Sequence, residues 1–239
     1  MMVRRFYLCT ALAFGKCLCT HLRRGRVSFS GYSETLDMES AATLCVLLHR
    51  YTKALSVALG YRDLLTQHHS ERVRGLCEII GLRYGLADQD LDILRLSASF
   101  HDVGKIGIPD NILLKPASLE ADEWEIMKRH SGIGEQIMLS TELDGAPQVA
   151  LVIRHHHEHY NGLGYPDGLS RDEIPICSRI ISIADSYDAM AVTRPYHRPK
   201  RHAEIMKILN TETGLKHDPE LMRMFCEIIE YSEFKAAET

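Results

Sequence analysis

His101 and Asp102 are adjacent, and about fifty residues later the chain runs through three consecutive histidines, His155, His156 and His157. An adjacent histidine and aspartate offer a metal one imidazole nitrogen and one carboxylate oxygen, a mixed donor set suited to iron, manganese or zinc. Alone, such a pair is more often a hydrogen-bonded surface pair. Here further donors accompany it: His68 and His69 in TQHHSERV, His130 in MKRHSGIG, and Asp185 in SIADSYDAM. Two metals about 3.5 to 4 Å apart can share a water, lower its pKa toward neutrality and hold a phosphodiester oxygen. One carboxylate must bridge them. Asp102 is the natural bridge, because it directly follows one terminal ligand and lies in the central segment. With Asp102 and Asp185 as the anions among these donors, two divalent ions would retain about two positive charges, which suits a phosphodiester.

The segments RDLLTQHHSERV, ASFHDVGKIGIPDNILLKP, WEIMKRHSGIGEQIM, HHHEHYNGLGYPDGLSRDEIP, SRIISIADSYDAM and RPYHRP follow one another across about residues 51 to 231. In this order they closely resemble the HD-GYP family, bacterial members of the HD phosphohydrolase superfamily. The resemblance implies hydrolysis of cyclic di-GMP to linear pGpG, with GMP as a further product, in second-messenger signalling. It assigns His69, His101, Asp102 and Asp185 to one metal, and His130, His156 and His157 with Asp102 to the other. The implied cofactors are two divalent ions, iron or manganese. His69 is preferred over His68 because Ser70 and then Arg72-Val73 follow it as in the family. The HHE before HYNGLGYP selects His156 and His157 and leaves His155 to the core or to the surroundings of the site. Three consecutive helical positions, each turned by about 100°, cannot all face one centre.

Some relatives hold a third metal through a glutamate four residues before the first ligand histidine; that position is Leu65, and a hydrocarbon cannot ligate a cation. The resemblance also makes Lys105 a phosphate-binding charge with a catalytic role, Arg194 a second phosphate clamp, and Tyr165 a base or phosphate contact. His197 stands where many relatives carry a basic residue. Asn161 stands where the family usually has aspartate, which bears on how the second histidine group is oriented. Glu158 reads as a supporting acid rather than a ligand. Two alternatives accompany this reading: hydrolysis of cyclic GMP-AMP, since metal chemistry does not read bases, and a weakly catalytic module that binds the nucleotide or contacts diguanylate cyclase (GGDEF) domains.

These donors must be positioned by helices. The 239 residues, 45% hydrophobic and 25% charged, are enough for one globular domain with a sizeable core. Apolar residues recur at three- and four-residue intervals from about residue 37, and helices are expected at about 66–84, 88–101, 119–138, 147–158, 176–192, 201–212 and 218–231. No alternating strand pattern is present, so the fold class is all-α, a single HD-type helical domain with a buried metal centre and a GYP loop. Residues 1–31 read as a flexible leader and 32–239 as the phosphohydrolase domain, with its core at about 51–231. The apolar FYLCTALAF is interrupted by Lys16 and followed by Arg23, Arg24 and Arg26, so no membrane span is expected. A formal net charge of −4 gives no overall attraction to nucleic acid, which argues against DNA as a partner. Seven cysteines without a CxxC pair favour reduced thiols in a cytoplasmic protein. The pattern leaves the oligomeric state open.

Overall fold

Helices carry nearly all of the regular structure in the computed structural model, which describes residues 64–192 and 198–237 together with 53, 57, 58, 60 and 61. The expected leader, most of the helix expected from about residue 37, and both Arg194 and His197 lie outside the described residues. The elements are α1 (Leu64–Tyr84), α2 (Asp88–Phe100), a 3₁₀ turn over Val103–Gly107, α3 (Asp110–Leu113), α4 (Ala121–Lys128), α5 (His130–Leu139), α6 (Ala146–Arg154), a 3₁₀ turn over Arg171–Glu173, α7 (Ile176–Ala191), α8 (His202–Glu212) and α9 (Pro219–Ile229). Extended pairing among the described residues is limited to two isolated bridges, Asn161 with Ser170 and Thr213 with His217. No helix among them is long and apolar enough to cross a membrane.

Local chemistry explains several boundaries. Helix α1 gives way at Gly85, whose φ of +86° is readily adopted only without a Cβ. Asp88 and Asp90 sit in the first turn of α2, where the helix dipole favours negative charge. Asp218 caps α9 by accepting the backbone N–H groups of Glu220 and Leu221, and Pro219 occupies the first turn, where its missing N–H costs nothing.

Two expected helices end differently, and both differences fall at metal-ligand candidates. The stretch expected at 119–138 is two helices with Arg129 between them, where the Arg129 N–H bonds back to the Ile126 carbonyl at 3.1 Å. The helix expected at 147–158 stops at Arg154, so His155, His156 and His157 lie on a turn rather than on a helical face. Helical spacing therefore does not govern which of the three faces inward.

Two apolar clusters clamp the site. Val73, Leu76 and Ile80 of α1 pack with Leu94 of α2, with Ile180, Ile183 and Tyr187 of α7, and with Phe225 of α9. Leu96 and Phe100 of α2 pack with Met138 of α5 and with Val149 and Ile153 of α6. Burying each such side chain contributes about 1.5–3 kcal/mol, so the helices that carry the polar centre are held from both sides. Between them the 3₁₀ turn passes very close to α5: a Cβ on Gly104 would lie 1.9 Å from the His130 carbonyl oxygen. Gly104→Ala is therefore expected to destabilise the fold by about 2–3 kcal/mol, lowering the melting temperature by roughly 5–10 °C. Circular-dichroism melts against wild type check this, and an unchanged midpoint would contradict the close approach.

Candidate metal centre

Three histidines have their ring orientation set by backbone carbonyls three residues earlier. His101 Nδ1 donates to the Ala98 carbonyl at 2.8 Å, His130 Nδ1 to that of Met127 at 2.8 Å, and His156 Nδ1 to that of Ile153 at 2.5 Å. A carbonyl only accepts, so in each ring the proton belongs on Nδ1 and the Nε2 lone pair points inward. The His101 Nε2 is buried with no hydrogen-bond partner. Nε2 of His130 and Nε2 of His156 face each other at 3.4 Å. With both protons committed elsewhere, that contact sets lone pair against lone pair, and a cation between the rings relieves it. Burial pushes the His156 imidazolium down to about 3 and lowers His130 and His157 as well, which keeps these rings neutral and ready to ligate.

Asp102 lies between two groups of donors and is only 3% exposed. Its Oδ1 is 3.5 Å from His130 Nε2, while its Oδ2 is 3.4 Å from His101 Nε2 and 2.6 Å from Lys105 Nζ. Burial alone would raise its pKa, but the Lys105 ammonium beside it holds the carboxyl well below the usual range. The donor atoms of His69, His101 and Asp102 lie within 4.8 Å of one another, and so do those of His130, His156 and His157. Asp185 joins the first group, its Oδ1 2.9 Å from His69 Nε2. Burial likewise opposes the charge on Asp185, and its contacts with His69 and the nearby histidines keep it ionised.

The donor set fits a divalent cation: inward Nε2 lone pairs on His101, His130 and His156, a buried carboxylate in Asp102 and a part-buried one in Asp185, and a buried nitrogen without a partner. His68 does not take part. Its side chain is exposed and lies 3.9 Å from Glu71.

The sequence reading missed Asp188 and Arg72. His69 Nδ1 donates to Asp188 Oδ2 at 2.6 Å, and Arg72 clamps the same carboxylate through Nε at 2.7 Å and Nη2 at 3.0 Å. The signal was present in spacing: Asp188 is three residues after Asp185, and Arg72 three after His69, so each pair shares one helix face.

The segment after His157 is anchored from below. Glu158 is buried and accepts the backbone N–H groups of Asp167 at 2.7 Å and Gly168 at 3.0 Å. His155 Nε2 donates to Asp167 Oδ2 at 2.8 Å, and Arg154 binds both oxygens of that carboxylate at 2.7 Å. His155, Glu158 and Asp167 could by proximity hold an ion, but Arg154 already occupies the Asp167 carboxylate. These contacts fix the loop instead, and the Tyr165–Pro166 peptide within it is cis. Tyr165 packs its ring 4.9 Å from that of His157, and burial raises its hydroxyl pKa. Asn161 is exposed, and its Oδ1 accepts the Leu163 N–H at 3.0 Å. It therefore shapes a turn.

Comparison with known proteins follows from this arrangement. The HD domain family matches residues 54–221. A cyclic di-GMP phosphodiesterase of Thermotoga maritima is 39% identical over 184 residues, which cover 76% of this chain and 49% of that protein. The cyclic di-GMP phosphodiesterase response regulator RpfG of Xanthomonas campestris pv. campestris is 37% identical over 165 residues, 69% of this chain and 44% of that protein. A solved structure of a cyclic GMP-AMP-specific phosphodiesterase of Vibrio cholerae shares the fold with a TM-score of 0.56 at 19% identity, over 80% of this chain and 50% of its own. The chain thus spans about half the length of the curated relatives it matches. The HD family is one of divalent-metal phosphohydrolases, and the two donor groups could hold such ions. Because the match runs through both histidine groups and the GYP segment, the chain belongs to the HD domain family, in its HD-GYP branch.

Proposed function

We propose that this chain is a binuclear metal-dependent phosphodiesterase that hydrolyses cyclic di-GMP to pGpG, and onward to GMP. The observation that carries the reading is Asp102, a buried carboxylate with one oxygen toward His101 and the other toward His130. His69, His101 and Asp185 would complete one ion's donors, and His130, His156 and His157 the other's. Divalent cations held there supply Lewis acidity toward a phosphodiester oxygen and activate water at neutral pH. The net reaction adds water across a P–O3′ bond: phosphorus gains the hydroxyl oxygen and the 3′ oxygen leaves with the proton.

The chain's own groups bind and orient the phosphate. Lys105, which neutralises Asp102 at 2.6 Å, turns toward a non-bridging oxygen as charge builds there. Arg194 serves as a second clamp and His197 as a weaker one on sequence grounds alone. Tyr165, held over His157 by the anchored loop, closes one side of the site. The relatives named as cyclic di-GMP phosphodiesterases support that substrate. The cysteines Cys77, Cys177 and Cys226 are free thiols, in keeping with a reducing, cytoplasmic setting.

The test is anaerobic turnover of cyclic di-GMP by protein loaded with iron or manganese, with cyclic GMP-AMP run in parallel. Product that depends on metal and disappears in the His101→Ala/Asp102→Ala double variant is the expected result. Two bound metals with nucleotide affinity but no product would favour a binding module instead. Metal content is expected at two ions per folded chain, because Leu65 provides no third-site ligand. Three tightly bound ions by elemental analysis would refute that count.

A further inference from the structure

Helix α4 buries none of its residues, yet it carries Trp124, the sole tryptophan of the chain. The indole is 46% exposed. It meets Tyr165 edge to face, with centroids 6.1 Å apart at 84°. Tyr165 in turn lies 4.9 Å from His157, tilted by 32°, and Lys128 Nζ stands 5.8 Å from the centre of the Tyr165 ring. Three rings thus step outward from the second histidine group to the surface, with a cation beside them.

The helix that carries the indole is anchored at its start. Glu120 and Glu123 form a reciprocal capping box at the start of α4, and Lys115 ties Glu123 down at 2.5 Å. A large aromatic surface left half in water is costly unless something covers it. A flat π-face beside a phosphate site matches one ligand class well: a nucleotide whose phosphate sits at the metals and whose base lies against the indole.

We infer that Trp124, with Tyr165, forms a base-stacking subsite for a purine of the cyclic dinucleotide; this rests on the phosphodiesterase reading above. Stacking tolerates any base, so the subsite raises affinity for guanine and adenine nucleotides alike and separates them from phosphodiesters without a base. Its contribution corresponds to about a 5- to 100-fold change in affinity per stacked base.

A single tryptophan makes its fluorescence a direct probe. Stopped-flow mixing of the manganese-loaded chain with cyclic di-GMP is expected to quench tryptophan emission before turnover, and inorganic phosphate is expected to leave it unchanged. Trp124→Ala should raise KM for cyclic di-GMP about 5- to 100-fold with kcat changed far less, and Trp124→Phe should recover most of the loss. Turnover without quenching, with KM unaltered in Trp124→Ala, overturns the subsite and leaves the phosphodiesterase standing. Quenching by the dinucleotide without turnover supports the subsite and overturns the catalytic reading. Neither quenching nor turnover overturns both.

Discussion

Asp102→Asn is expected to reduce metal-dependent turnover of cyclic di-GMP by at least about a thousandfold and to lower the bound metal content of the folded chain. The substitution keeps the shape of the side chain but removes its charge and one acceptor oxygen. In the native arrangement each oxygen faces a different histidine, His101 at 3.4 Å and His130 at 3.5 Å. An amide can offer its single oxygen to one side only, and its NH₂ would confront a cation held on the other. Losing several kcal/mol of charge stabilisation at a phosphoryl centre corresponds to three or more powers of ten in rate. Because Asp102 is near-isosteric with asparagine, far-ultraviolet circular dichroism should show an unchanged helical content. A variant that retains two ions and wild-type turnover would remove Asp102 from the role of bridge.

The helical fold was readable because the helices that build the core carry apolar stripes. The Val73–Leu76–Ile80 row of α1 and the Ile180–Ile183–Tyr187 row of α7 are three- and four-residue patterns that bury as their spacing implies. The donor residues were equally visible as residue types. Less visible was where helices stop, because no glycine or proline stands at Arg129 or directly after Arg154 to mark the breaks. Gly104 reads in sequence as a glycine that allows a close chain approach near Lys105, and only its neighbour across the fold, the His130 carbonyl, shows what approaches. Asp188 was hidden for a different reason: a carboxylate that touches a histidine rather than an ion leaves no distinct motif. Its i,i+3 relation to Asp185 becomes informative once α7 is known to face α1.

Metal affinity is expected to rise about 50-fold between pH 7 and pH 9, and the cause lies at His69. Burial opposes a charged imidazole there, but the bonds to Asp185 and Asp188 outweigh it and raise the His69 pKa to about 9. In the metal-free chain His69 is therefore protonated at neutral pH, and a cation must displace that proton before using Nε2. Below pH 9 each unit of acidification then costs about tenfold in affinity; above it the profile flattens. The sign for folding is opposite. A raised histidine pKa stabilises the metal-free fold fully below the unfolded value of about 6.5, and that contribution is lost as pH rises through 9. High pH should thus weaken the metal-free fold while strengthening its hold on metal. Asp188→Asn separates orientation from titration. Removing the carboxylate that fixes the ring should lower affinity by about 10- to 100-fold at pH 9.5, where the proton competes least, and should move the break in the pH profile to lower pH. Competition titrations with manganese from pH 6.5 to 9.5, with proton release measured calorimetrically in two buffers, would read both effects. A flat profile with no proton released in wild type would mean that the ions bind without displacing the His69 proton.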